Sequence, residues 1–198
     1  EADQMLDIGF LPAIKRIFSL LPLHKQTLLF SATMPRAIKT LSVDYLNNPA
    51  EVAVTSVAKP ADKINQTVLF LNNADKLNAL KNLIKERQKE RILVFSRTKH
   101  GADKVVKSLT SLGLKLAAIH GNKSQMQRQT ALENFKRGKC FVLVATDIAA
   151  RGIDVRDVEV VVNYDLPDIP ETYVHRIGRT ARAGASGYAV SFCTSNER

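Results

Sequence analysis

Residues Tyr173–Gly184 read YVHRIGRTARAG, and Arg176, Arg179 and Arg182 recur there every three residues with no carboxylate among them. On a helix running into a loop, that spacing turns at least two guanidiniums toward one locus. Gly178 and Gly184 let the backbone come close to a ligand. Converging planar donors suit a phosphoryl group in transfer, because its charge spreads over equatorial oxygens that a guanidinium fork can follow. One such arginine is worth about 10³–10⁵ in rate, or about 4–7 kcal/mol of barrier. The lack of a carboxylate in the segment speaks for this use and against a structural ion-pair network.

Four further polar clusters each follow a short apolar run: Ser31-Ala32-Thr33-Met34-Pro35, Ser96-Arg97-Thr98-Lys99, His120-Gly121-Asn122-Lys123, and Thr146 through Asp154. The last three mix hydroxyls or glycine with a cation. Backbone N–H groups at helix starts, together with Lys or Arg, make phosphate sites. In the first cluster, Thr33 is the expected N-cap of a helix that opens with Pro35.

The elements that must position these clusters follow from periodicity. Leu28–Phe30, Ile92–Phe95, Leu116–Ile119, Phe141–Ala145, Val160–Val162 and Tyr188–Phe192 are short and wholly apolar, as strands of a parallel sheet covered on both faces should be. Amphipathic segments alternate with them. One begins near Thr98 and ends before Gly113, with Ala102, Val105, Val106, Leu109 and Leu112 on one face. Another opens with a capping box, Ser124 and Gln127, and buries Leu132 and Phe135. This alternation predicts an α/β fold, a doubly wound parallel sheet whose ligands sit at the carboxyl ends of the strands. A break near residues 55–62 separates a first segment, 1–55, from a second, 56–198. The first holds helices at Leu11–Leu20 and from Pro35 to about Leu46, a strand ending at Phe30 and a short strand Glu51–Val54. Two strands cannot cover a parallel sheet, so segment 1–55 is expected to be the remnant of a larger domain.

Charge separates the segments as well. Residues 1–55 carry five basic and five acidic side chains; residues 56–198 carry 24 and 14, and so hold the whole net charge of +10. A polyanionic partner for the second segment follows. Cys140 and Cys193 lie in apolar runs without ligand spacing and are expected to be buried thiols. No apolar run is long enough to span a bilayer, and the N-terminus lacks a signal-peptide layout, which makes the cytoplasm the expected location and a membrane partner unexpected. No G-x-x-x-x-G-K-[ST] occurs, the only Gly-Lys pair being Gly138-Lys139, followed by Cys140.

Glu1-Ala2-Asp3 at the start, SAT at 31–33, ATDIAARGID at 145–154 and HRIGRTARAG at 175–184, in this order, resemble the DEAD-box RNA helicases of superfamily 2. VFSRTKHGAD at 94–103 and IHGNKSQ at 119–125 are similar to the bacterial RhlE-like subgroup. On this resemblance EAD would be the last three letters of the DEAD box, and the residue before Glu1 would be the Asp that helps hold Mg²⁺. The fold implied is a RecA-like helicase C-terminal domain at 56–198, preceded by the C-terminal part of a first RecA-like domain at 1–55.

The resemblance also implies roles. Glu1, Arg179 and Arg182 would be catalytic, Glu1 toward the attacking water and the two arginines as fingers. Asp3, Ser31, Thr33 and His175 would couple the nucleotide and RNA sites. Asp154, Arg179 and Arg182 would bind ATP, while Arg97, Gly121, Gln125, Arg128 and Thr146 would hold the RNA backbone. ATP and Mg²⁺ are the cofactors implied for the full-length protein. RNA, as single strand or short duplex and without sequence code, is the partner, with ribosome-assembly or RNA-decay proteins and a monomeric state also expected. The activity implied is duplex unwinding or remodelling by ATP-driven closure of two RecA-like domains. The 198-residue chain alone, with half a nucleotide site, is expected to be inactive. The alternatives are a non-catalytic RNA-binding module on a helicase-like fold and a DNA-translocating superfamily 2 enzyme. Ala181 departs from the family, which has Gly there; a negative φ would let the methyl be tolerated.

Overall fold

The computed structural model describes residues 2–7, 9–31, 33–53, 63–110, 113–150, 158–181 and 186–197. The chain divides into two compact units, Glu1–Ser56 and Val57–Arg198. The expected boundary at 55–62 lies outside the described residues.

In the first unit the described residues form three helices: α1 (Ala2–Asp7), α2 (Leu11–Leu20) and α3 (Arg36–Tyr45). The expected strands at Leu28–Phe30 and Glu51–Val54 are not strands in residues 28–30 and 51–53; Val54 lies outside the described residues. Leu28 and Phe30 have the apolar character of a strand but are 70% and 75% exposed. Apolar character alone forms no ladder; the Phe30 carbonyl accepts from the Ala2 N–H, at 3.0 Å, at the start of a helix. Apolar burial in this unit is limited to Ile14, Ile38 and Leu41 among the described residues. Phe18 lies against Tyr45, ring centroids 4.1 Å apart, beside an apolar groove of about 410 Å³.

The second unit is a six-stranded, all-parallel sheet. Its strands are β1 (Ile64–Phe70), β2 (Ile92–Phe95), β3 (Leu116–Ile119), β4 (Val142–Ala145), β5 (Val160–Asn163) and β6 (Gly187–Cys193), in the order β1-β6-β5-β2-β4-β3. The helices between them are α4 (Lys76–Glu86), α5 (Lys99–Leu109), α6 (Gln125–Lys136), the short α7 (Asp147–Ala150) and α8 (Pro170–Ile177), and the described chain finishes on a 3₁₀ turn, Ser195–Glu197. Successive strand residues face opposite sides. Ile92, Val94, Val142, Val144, Val160 and Val162 pack under α4 and α5, while Leu93, Phe95, Leu143, Ala145 and Val161 pack under α6 and α7. The sheet is therefore covered on both faces, which is why β2, β4 and β5 read as unbroken apolar runs. The chain leaves β4 and crosses β2 to reach β5. This reversal of winding direction opens a crevice at the carboxyl ends of the strands.

Two glycines are required by close approach. A Cβ on Gly187, at the start of β6, would lie 2.3 Å from Thr180 Oγ1, and one on Gly101 would lie 2.7 Å from Ser96 Oγ. Cys140 and Cys193 are buried and free, as expected. Burial pushes the Cys140 thiol up to about 11, which makes it inert at neutral pH. No described helix is long and apolar enough to cross a membrane.

Candidate functional site

In the first unit, the residues assigned to coupling meet. Thr33 Oγ1 donates to the Asp3 carboxylate at 2.7 Å, Ser31 Oγ accepts the Asp3 N–H at 3.2 Å, and the Ser31 hydroxyl donates to the Thr33 carbonyl at 2.7 Å. Thr33 is therefore not the N-cap of α3. That position falls to Pro35, which has no side chain to cap with, because the Thr33 hydroxyl is drawn to a carboxylate, a stronger acceptor than a neutral oxygen. Glu1 lies outside the described residues. Among those described, no group of three or more His, Cys, Asp and Glu is placed to hold a metal ion. With an Asp3 carboxylate oxygen already accepting from Thr33, these residues do not fit Mg²⁺ by themselves.

In the second unit, the residues assigned to RNA collect at the carboxyl edge of three adjacent strands. Arg97 follows β2, Gly121 follows β3 and Thr146 follows β4. Gln125 and Arg128 occupy the first turn of α6, whose start the Ser124–Gln127 capping box fixes. Gln125 Oε1 accepts from Arg128 Nη1 at 3.4 Å. Arg128 Nε is buried and has no hydrogen-bond partner among the described residues, a donor that an arriving phosphate oxygen would satisfy. The turn between β3 and α6 is braced from α5. Asp103 lies 3.0 Å from both His120 Nε2 and Lys123 Nζ, and Lys99 donates to Asn122 Oδ1 at 3.0 Å. Hydrogen bonds from His120 and Lys123 hold the Asp103 carboxyl below its usual range. The Asn122 N–H donates to His120 Nδ1 at 3.3 Å, which assigns the imidazole proton to Nε2, facing Asp103.

Arg97 is already engaged within the protein. Its guanidinium donates to the Leu166 carbonyl at 3.0 Å and to Glu197 at 3.3 Å, and Asp168 stands 3.5 Å away. Behind it lies a set of charges that sequence reasoning missed. Lys76, 2% exposed, sits 3.2 Å from Asp165 and 3.1 Å from Glu197, with its ammonium 5.7 Å from the centre of the Tyr164 ring. Asp165 also accepts from the Arg97 N–H and the Ser96 hydroxyl. These partners are 68 to 121 positions apart in sequence, so no local spacing announces them.

The arginine series is corrected at its first member. Arg176 is 2% exposed and turned inward: Nε and Nη2 donate to the two oxygens of Asp147 at 2.6 and 2.7 Å. Its Nη1 reaches Asn163 Oδ1 and the Asp165 carbonyl, and the guanidinium stacks 5.0 Å from the centre of the Phe95 ring. This is the structural ion pair that the segment's lack of carboxylates argued against; the carboxylate comes from α7, 29 residues upstream. Arg179, half-buried, follows α8, and His175 is half-buried on it. Arg182 and Asp154 lie outside the described residues. Ala181 has φ +55°, not the negative value under which its methyl would be tolerated, so it sits in the left-handed region that disfavours a Cβ. Just before it, the Thr180 hydroxyl donates to the Val158 and Glu159 carbonyls, and Thr180 bridges Val158 in parallel.

Comparison with known proteins adds to this geometry. Residues 75–184 match the model of the helicase conserved C-terminal domain, and residues 1–41 match that of the DEAD/DEAH box helicases. A DEAD-box ATP-dependent RNA helicase 30 from Arabidopsis thaliana is 45% identical over 98% of the chain, and the DEAD-box ATP-dependent RNA helicase CshA of Bacillus licheniformis is 43% identical over all of it. The chain spans 33% and 41% of their respective lengths. Among solved structures, S. cerevisiae Dbp5 bound to RNA and ADP BeF3 superposes with a TM-score of 0.86 at 33% identity, covering 98% of this chain and 52% of that one. A DEAD box protein from Methanococcus jannaschii gives 0.66 at 41% identity, covering 100% and 53%.

Proposed function

Because the chain belongs to the DEAD-box RNA helicase family, we propose that it is part of an ATP-dependent RNA helicase that unwinds or remodels short RNA duplexes. The observation that carries this reading is the carboxyl edge of the second unit, where Arg97, Gly121, Thr146, Gln125 and Arg128 follow three neighbouring strands, and Arg128 presents a buried, unpartnered donor. Contacts of this kind grip phosphate and sugar and leave base sequence unread. Arg179 and Arg182 act on the ATP phosphates as fingers, Asp154 holds the ribose, and Glu1 orients the attacking water. Asp3, Ser31, Thr33 and His175 link ATP to RNA. ATP and RNA each favour the closed arrangement of two RecA-like domains, so each raises affinity for the other.

VFSRTKHGAD and IHGNKSQ support a place near the bacterial RhlE-like group, in a cytoplasmic, monomeric protein that uses Mg²⁺ with its ATP and serves ribosome assembly or RNA decay. Residues 1–55 and 56–198 are its two helicase segments. In the full-length protein, Arg179→Ala or Arg182→Ala is expected to lower RNA-stimulated kcat by about 10³–10⁵ with RNA affinity little changed. An unchanged kcat removes the finger role.

A further inference from the structure

The same sheet has a second basic edge, at the amino ends of its strands. Lys115 precedes β3, and Lys139 lies just before β4. Lys107 stands in the last turn of α5, while Lys136 and Arg137 close α6. All five are exposed. They belong to one surface, because the backbone draws these positions together. The Phe141 N–H donates to the Lys115 carbonyl at 3.3 Å, the Ile92 N–H to the Phe141 carbonyl at 2.8 Å, the Lys139 N–H to the Asn134 carbonyl at 2.8 Å, and Arg91 Nη1 to the Lys136 carbonyl at 3.5 Å. Little neutralises them. Arg137 has Glu133 at 3.9 Å, both well exposed, and Arg91 has Glu159 at 3.7 Å. Among the described residues, Lys107, Lys115, Lys136 and Lys139 make no ion pair.

Amid these cations is an aromatic ring. Phe141 is 38% exposed, although it adjoins β4, a strand buried along its length. A basic track with an exposed aromatic platform is the chemistry that binds single-stranded nucleic acid: cations follow the backbone and the ring stacks on any base. An acidic peptide would use the cations and leave the ring idle, and a duplex keeps its bases out of reach.

We infer that this amino-terminal edge is a second binding surface for single-stranded RNA, formed by Lys107, Lys115, Lys136, Arg137 and Lys139 around Phe141. It rests on the RNA reading above but uses none of the residues assigned there. Roughly 15 Å of strand separates it from the carboxyl edge, so it holds RNA that continues past the first site and tethers the protein beside the segment being remodelled.

Anisotropy of fluorescein-labelled oligouridylates on the whole 198-residue chain tests this, with a long probe (about 20 nucleotides) and a short one (about 6). Lys115→Ala/Lys139→Ala is expected to weaken the long probe roughly tenfold and flatten its log K against log salt slope by about 1.4, leaving the short probe unchanged. Phe141→Ala should weaken the long probe at least about fivefold and leave a duplex of equal charge unaffected. Variants that melt like the parent yet bind the long probe with unchanged affinity and slope, while Arg128→Ala weakens it, overturn this surface and leave the carboxyl-edge reading standing. Competition by polyglutamate as strong as by unlabelled oligouridylate also overturns it. A parent chain that binds neither probe removes both readings.

Discussion

Arg176 and Arg179 are three residues apart and differ in burial, the first 2% exposed and the second half-buried. Arg176 makes four hydrogen bonds inside the protein, two to Asp147 and one each to Asn163 and the Asp165 carbonyl. Its removal leaves Asp147 without its partner and opens a space beside Phe95, so Arg176→Ala is expected to cost about 3–5 kcal/mol, read from urea denaturation. Arg176→Lys should recover little, since an ammonium cannot bond both carboxylate oxygens in the same plane. A spacing of three shows that side chains share a face, not which way that face points. Here the deciding carboxylate arrives from another element, and sequence could not place it. Ala181 is the converse case, a substitution visible in sequence whose cost only the backbone reveals. At φ +55°, Ala181→Gly relieves a Cβ penalty and is expected to gain about 1 kcal/mol, measured as a raised denaturation midpoint; no gain would mean that the loop repays the strain elsewhere.

At the scale of elements, the 3₁₀ turn Ser195–Glu197 ties the last strand to the loops after β2 and β5. Burial pushes the Glu197 carboxyl up, but the Thr194 N–H and hydroxyl and the Lys76 ammonium outweigh it and hold it below its ordinary value of 4.5. A lowered folded value means that its stabilisation is complete above about pH 4.5 and is lost as pH falls through the lowered value. Denaturation midpoints should therefore drop on acidification in that window, and Glu197→Gln should flatten the drop. An equally steep loss in the variant would place the acid sensitivity elsewhere, at Asp103 for instance, whose carboxyl is also lowered. The elements themselves were largely legible. β2 and β3 carry the bounds that their apolar runs predict, and α6 starts at its capping box. β1 was not named from sequence, because INQTVLF lies at the sheet margin with most of its residues exposed and lacks the unbroken apolar signature. Leu28–Phe30 has that signature and no ladder, since pairing is a property of two chains and periodicity describes one.

For the whole molecule, burial is unequal between the units. The second has two extensive apolar clusters, one on each face of its sheet, whereas the first buries three apolar side chains among its described residues and exposes Leu20, Leu23, Leu28 and Phe30. Opening free energy follows buried contact. In hydrogen exchange on this chain, amides of α2 and α3 are expected to exchange at near-unprotected rates while those of β2, β4 and β5 are slowest; equal protection across the two units would contradict this. Topology adds a temporal consequence. Among the described residues β1 pairs only with β6, Ile64 opposite Gly187 through Phe70 opposite Cys193, so the first of these strands must wait for the last. At a ribosome adding about 5–20 residues per second, β1 is synthesised roughly 6–25 s before its neighbour. For that interval the nascent chain carries an unmatched row of amides and carbonyls, an edge open to pairing with another chain.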